Sequence, residues 1–262
     1  MTVLARFRAL PDKDKASLIR KLVESGTPDF DFYYLIGLST VMATLGLLLD
    51  SGSIVIGSML IAPLMYPILG VALGLVMMGD KISVLSRAFS TLTTSLAAGL
   101  GLSIVTAWFF MGDMAQTGEL LFLEEVMSRT EPSILHLMVA LVAGAAATYM
   151  LARPEWGDAL PGVAIAVALV PPLATMGVGV AALNTIIIKG ASMILLLNLV
   201  GIIGVAVVIF LLMNLGAQEN IAESTMKRED KKIEEENEVI AEVAIEMEAS
   251  KERVVIKENI TS

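Results

Sequence analysis

The stretch GSMLIAPLMYPILGVALGL, residues 57–75, is almost wholly apolar, yet it holds two prolines four residues apart, Pro63 and Pro67. Each proline removes a backbone donor and crowds the preceding turn, at about 3 kcal/mol in a helix interior. A segment this oily that tolerates such an interruption is either a helix kinked for packing or one deliberately opened. The choice between the two decides how the rest of the chain is read.

The surroundings are those of a membrane. Of 262 residues, 56% are hydrophobic and the mean hydropathy is +0.77, while the charges crowd into residues 1–31 and 218–262. A soluble domain is less apolar and spreads its charges. Six runs are long enough to cross a hydrocarbon core about 30 Å thick: 32–49, 53–79, 82–111, 133–152, 160–183 and 186–215. Turns separate them: DSGS at 50–53, GDK at 79–81, RPEWGD at 153–158, and Asn184. A helix over all of 53–79 would reach about 40 Å, so it must tilt, protrude or break. The first run follows some thirty residues containing Arg6, Arg8, Lys13, Lys15, Arg20 and Lys21, which is not the layout of a cleaved signal.

Basic flanks stay cytoplasmic. With six spans, one side gathers the six N-terminal cations, Lys81, Arg87, Arg153 and seven in the tail, leaving Arg129 and Lys189 opposite. The expectation is a multi-pass protein of the inner (cytoplasmic) membrane with both termini cytoplasmic. Its parts are an N-terminal amphipathic segment 1–31, two three-helix units 32–111 and 133–215, an acidic external loop 112–132 between them, and a charged tail 216–262.

The flanks are less specific. Leu18, Ile19, Leu22 and Val23 fall on one helical face, which suits a short helix under the membrane domain or at the interface. In the tail, Ile233, Asn237, Ile240, Ala244 and Met247 repeat at coiled-coil spacing over only two heptads. A solvated charged helix or disorder is the simpler expectation there.

The second half answers the first. LPGVAIAVALVPPLATMGVGVAAL, residues 160–183, superposes on the opening stretch at an offset of 109. Ile56 then meets Ile165, Pro63 meets Pro172, Leu64 meets Leu173, Gly70 meets Gly179, Val71 meets Val180 and Ala72 meets Ala181. Each proline-bearing run is the middle span of three. Because three is odd, the halves enter the membrane from opposite sides, and the expected fold is all-α with two inverted three-helix repeats and proline-broken middle helices. Such paired interruptions point to a transporter's central site, since backbone freed by a break survives only inside protein or beside water. Against this stands plain packing: proline is common in membrane helices, and GVALG at 70–74 suits close helix contact.

These residues resemble a known family. GSMLIAPLMYPILGVALGL, SRTEPSILHLMVALVAGAAATYMLARPEWGDALPGVAIAVALVPPLATMGVGVA and LLLNLVGI are similar to the prokaryotic hydrophobic membrane proteins catalogued as domain of unknown function 389, over about 32–215. The resemblance implies a polytopic membrane protein and carries over no activity. Similar proteins often have an aspartate where this chain has His136, which puts chemistry resting on that acid in doubt here.

Few side chains offer chemistry. Pathway candidates are Ser58, Pro63, Pro67, Pro171, Pro172, Thr175 and Asn198. Ser58 and Thr175 flank the prolines but could bond back to their own helices. Asn198, in LLLNLVG, either bridges helices or lines a cavity. His136, the one histidine, is either a packed interfacial residue or a proton-responsive group, its ordinary pKa being near 6.5. STLTTS at 90–95 adds a polar patch, and Arg87 and Lys189 sit where snorkelling explains them. Without cysteine or a second histidine no metal site is expected, and no P-loop, HExxH, GxSxG or dinucleotide fingerprint stands at a usable position. No enzyme activity, cofactor or nucleic-acid partner is expected. The expected partners are the bilayer, a small solute or ion of unread identity, and further copies of the chain. The expected function is a channel or secondary transporter. The alternative is a membrane scaffold or sensor that oligomerises through Gly/Ala-rich faces and signals through its tails.

Overall fold

A computed structural model describes residues 11–24, 26–77, 83–112, 114–153, 159–218, 220–235, 237 and 239–240. The GDK turn at 79–81, most of the RPEWGD turn, the first ten residues and the tail beyond 240, with Ala244 and Met247, lie outside these.

The described chain is helical, without strands. In order come α1 (Asp12–Glu24), α2 (Phe30–Leu48), α3 (Gly52–Met59), α4 (Met65–Val76), α5 (Ser83–Phe110), α6 (Ile134–Leu151), α7 (Ala159–Ala181), α8 (Thr185–Leu212) and α9 (220–235). Local chemistry sets the ends. Asp29 caps α2 by accepting from the Phe32 amide at 2.7 Å, and Asn184 caps α8 by accepting from Ile186 and Ile187. Asp50 and Leu183 take left-handed φ values of 49° and 53° and close α2 and α7 in the same pattern. The amides of Ser51 and Asn184 bond back to Gly46 and Gly179, each at 2.9 Å.

Four described helices are long and apolar enough to cross a membrane: α2, α5 from Val84, α6 and α8. Their outer faces bear large exposed side chains such as Trp108, Phe109, Leu135, Val142, Val200 and Leu211. So much exposed apolar surface belongs in lipid rather than water, and the chain is a helical membrane protein. The 53–79 run is not one long helix. It is two short ones, with α3 ending at Met59 and α4 beginning at Met65.

α7 lies at the centre, against α2, α5, α6 and α8, and touches α3 and α4. Leu169, Val170, Leu173, Ala174 and Val178 are all buried, as suits a helix apolar all round. The chain switches partners across the gap between α3 and α4: α3 packs on α2, whereas α4 packs on α5 and α8. Gly70 and Gly74 bring α4 close to α5, since a Cβ at Gly74 would come within 2.6 Å of the Leu85 backbone.

Two flanking pieces dock rather than float. Leu18, Ile19, Leu22 and Val23 are buried, with α1 against α4. Over 220–235 the charged tail is helical, with one face packed rather than solvated. Ala222, Thr225, Met226 and Glu229, spaced to share one face, are buried there, and Asp230 pairs with Arg87 of α5. The linker from Met114 to Pro132 folds over the far end of the bundle, where the Glu125 amide donates to Asp50 Oδ1 at 2.8 Å.

Candidate functional site

The two proline pairs behave differently. Pro63 lies in the gap between α3 and α4, and Pro67 sits in the first turn of α4, where a missing N–H costs no helical bond. The gap is closed locally: the Leu60 and Ile61 amides reach back to Gly57 and Ser58, and Ser39 Oγ of α2 donates to the Ser58 carbonyl at 2.7 Å. Ser58 Oγ bonds back to the Val55 carbonyl at 2.6 Å. Ser58 is fully buried with its hydroxyl and carbonyl both engaged.

Pro171 and Pro172 do not break their helix, contrary to expectation: α7 runs through both. Successive prolines withdraw the donors that the carbonyls of Val167 and Ala168 would use four residues on. The protein supplies one replacement. Asn198 Nδ2 of α8 donates to the Ala168 carbonyl at 2.6 Å. A carbonyl only accepts, so the amide's nitrogen must face it and Oδ1 must face away. Further along, Ser103 Oγ of α5 donates to the Ala174 carbonyl at 3.0 Å and contacts Thr44 Oγ1 of α2 at 2.8 Å. Thr44 also reaches the Thr40 carbonyl at 2.7 Å, so two hydroxyl hydrogens serve three contacts that join α2, α5 and α7.

Two oxygens beside the proline pair have no partner. Thr175 Oγ1 and Asn198 Oδ1 are buried and make no hydrogen bond. Thr175 is 0% exposed and Asn198 5%. Ala168, Pro172 and Thr175 recur at helical spacing and share one face of α7, so Thr175 lies about two turns beyond the carbonyl that Asn198 holds. Leaving a buried polar atom unpaired costs about 1–3 kcal/mol. α3, α4, α6, α7 and α8 contain no Asp or Glu, and the nearest cation on α8, Lys189, is exposed. The neighbourhood is one of neutral oxygens.

Apart from His136, the candidates thus lie in three places rather than one. Ser58 and Pro63 belong to a satisfied gap beside α2. Pro67 lines a narrow cleft at the α1 end, with a cavity volume of only about 20 Å³, together with Leu22, Tyr66, Arg87 and Met226. Pro171, Pro172, Thr175 and Asn198 form the unsatisfied group. His136 joins none of them: its Nδ1 accepts from the Ser133 amide at 3.3 Å and contacts Ser133 Oγ at 3.0 Å, a cap at the start of α6. The hydroxyls of Thr93, Thr94 and Ser95 bond back to their own helix. Arg87 does not merely snorkel; it ties α9 to α5. Among the described residues no group of three His, Cys, Asp or Glu side chains gathers as metal ligands would. Reading of the sequence overlooked Ser39, Thr44 and Ser103. Their signal was polarity inside otherwise apolar spans, with Thr40 and Thr44 one turn apart.

A family model described as Domain of unknown function (DUF389) matches residues 59–204, from the end of α3 through Asn198. The chain belongs to this family. The DUF389 match thus holds the gap, the central helix and the unsatisfied oxygens, while α1, α2 and α9 fall outside it. An uncharacterised protein of Methanocaldococcus jannaschii is 28% identical over 173 residues, covering 66% of this chain and 51% of that protein. The chain spans about half the length of the curated relative it matches. No solved structure matches.

Proposed function

We propose that this membrane protein passes a small solute or ion, as a channel or secondary carrier, along the face of α7 that bears Pro171, Pro172 and Thr175. The observation that carries the reading is the pair of buried, unpartnered oxygens, Thr175 Oγ1 and Asn198 Oδ1, beside a helix that has lost two backbone donors. Intramembrane polar groups without partners are costly, and a guest that meets them offsets that cost. The site expected between two broken helices moves, in this reading, to the α7–α8 side.

The contact pattern supports an inverted arrangement of six crossings, with α3 and α4 together as one. Under the exchange of α2 with α6, α3–α4 with α7, and α5 with α8, the α4–α8 contact answers the α5–α7 contact. The α2–α5 contact likewise answers α6–α8. The α2–α7 contact has no equally extensive counterpart. The distribution of basic residues supports a reading in which both termini are cytoplasmic and the protein sits in the inner membrane. The apolar lateral groove lined by Val71, Phe89, Leu92, Leu199 and Ile203 suits lipid or a second copy. No enzymatic step, cofactor or nucleic acid enters this reading.

The scaffold alternative draws on one observation: α9 is docked, its buried stripe and the Asp230–Arg87 pair linking the tail to the bundle. The test separates the two. In reconstituted vesicles a panel of solutes, with and without a pH gradient, should reveal a flux that persists when the residues after 218 are deleted. A cysteine placed at Thr175 in this cysteine-free chain should react with an impermeant thiol reagent during that flux. No flux of any solute, together with complete protection of the cysteine, would leave the scaffold as the better description.

A further inference from the structure

A trough between α5 and α8 is a site of another kind from the α7 face, and it does not depend on what passes there. α5 and α8 both pack on α4 and α7 but not extensively on each other, so a furrow is left between them. Val71 and Leu75 of α4 form its floor, Phe89 to Leu96 of α5 one wall, and Leu196 to Val207 of α8 the other. Its volume is ≈ 580 Å³, within the range of about 300–1,000 Å³ that small-molecule sites occupy. Its polar member, Thr93, donates its hydroxyl to the Phe89 and Ser90 carbonyls of its own helix. Among the described residues no other polar side chain lines it, so nothing is left to hold a polar ligand. Phe89, Leu196 and Val200 are exposed on the rim, and the trough therefore opens sideways, continuous with the surface that lipid covers.

The trough has the depth of one leaflet. Residues 196–207 of α8 extend about 16 Å at 1.5 Å per residue, against about 15 Å for half of a hydrocarbon core about 30 Å thick. The floor is limited in the same way. α4 has 12 residues, and its Gly74 lies against Leu85 near the start of α5. The floor therefore covers only the half of the bilayer on the side of α1 and α9, where Arg87 meets Asp230. Beyond Leu196 the depression is lined by α8 alone, out to Lys189. A membrane-spanning helix of a second copy would run through the whole core and find a seat for half its length. A stable interface also engages about 20–30 residues a side, and the trough presents twelve. A lipid chain ends near the midplane, as the trough does. Hydrocarbon has no hydrophobic reason to leave hydrocarbon, so the gain is dispersion: the trough touches a chain on three sides, an open helix face on one. We infer that the trough holds one hydrocarbon chain of a resident phospholipid, wedged between α5 and α8.

Gly204 makes the site testable. It lines the trough, and a Cβ there would meet nothing within 4 Å, so Gly204→Leu fills the trough without displacing a neighbour. Gly101 of α5 is equally open but lies outside the trough, which makes Gly101→Leu the matched control. Full-length protein, stripped of lipid in dodecyl maltoside, would be melted with and without added dioleoyl phosphatidylcholine. The lipid should raise the melting temperature of wild type and Gly101→Leu, and Gly204→Leu should lose that response. A fluorescent reporter locates the chain. With Trp108→Phe and Trp156→Phe as background, Phe89→Trp puts the one indole in the trough wall, and Val142→Trp puts it on the exposed face of α6. An equimolar amount of the same lipid with dibrominated chains should quench the first reporter and not the second, and Gly204→Leu should abolish that quenching. Equal quenching at the two positions, no lipid response in wild type, or a response that Gly204→Leu leaves intact would overturn the site. So would a dimer that Gly204→Leu dissociates while the trough reporter stays unquenched, since a second copy would then be the occupant.

Discussion

The same residue, used twice in each middle segment, gives opposite results. At Pro63 the helix ends; at Pro171 and Pro172 it continues. The intrinsic cost of proline does not differ, so the surroundings decide. The residue before proline is pushed away from helical backbone, and at Ala62 nothing resists, because α3 and α4 serve different neighbours and the chain must turn between them. α7 serves α2, α5, α6 and α8 with one continuous surface, and a bend there would cost contacts on every side. An amide from α8 meets the Ala168 carbonyl that Pro172 leaves without a donor. Whether proline breaks a membrane helix depends on what the helix touches.

The sharpest way to break this comparison is to remove the prop. Asn198→Leu keeps bulk and leaves the Ala168 carbonyl bare, at an expected cost of about 1–3 kcal/mol, and amide exchange around 169–175 should rise toward that around the gap. Pro172→Ala restores an N–H to the Ala168 carbonyl and makes the amide redundant. In the double variant the cost of Asn198→Leu should shrink by about 1 kcal/mol, within the range of membrane hydrogen bonds. An additive double-mutant cycle, measured by unfolding in mixed micelles, would show that Asn198 does not stand in for the lost donor.

This also marks what the sequence could and could not disclose. Helical class and membrane character follow from length and hydropathy, which are local. The buried face of α1 follows from the spacing of Leu18, Ile19, Leu22 and Val23. The continuity of α7 depends on a partner thirty positions away, and the closure of the gap on one nineteen away. No window of sequence holds such pairs. Thr175 is the one polar residue of 168–181 and Asn198 stands alone in its apolar run, so both drew notice. Which atom of each lacks a partner is a matter of three-dimensional geometry. α9 was obscured by composition: its stripe of Ala222, Thr225, Met226 and Glu229 has helical spacing, but the charges around it dominate any average.

A milder test acts on the gap. Ser39→Ala removes the hydroxyl that serves the Ser58 carbonyl, yet the Ile61 amide still reaches that carbonyl at 3.2 Å. The expected loss is about 0.5–1 kcal/mol, less than for Asn198→Leu, with no change in exchange over α7. A loss as large as that of Asn198→Leu would mean that the gap leans on one bond as heavily as α7 does, and the distinction drawn above would fail.

The smallest effects discriminate most finely, because they compare two hydroxyls in the two middle segments. Ser58 donates to its own helix at 2.6 Å, so Ser58→Ala gives up a made bond and should cost about 0.5–1 kcal/mol. Thr175 donates to nothing within the protein, so Thr175→Val exchanges an unpaired hydroxyl for a methyl of the same shape. Its effect on unfolding should be nil or a gain of up to about 1 kcal/mol. Natural sequences lose such groups easily when they serve nothing, since the apolar replacement is the more stable one. If Thr175→Val destabilises as much as Ser58→Ala, the hydroxyl has a structural partner and its claim to a guest disappears. If it stabilises while slowing flux, the hydroxyl is held at the expense of stability, as expected of a side chain that acts only when something passes.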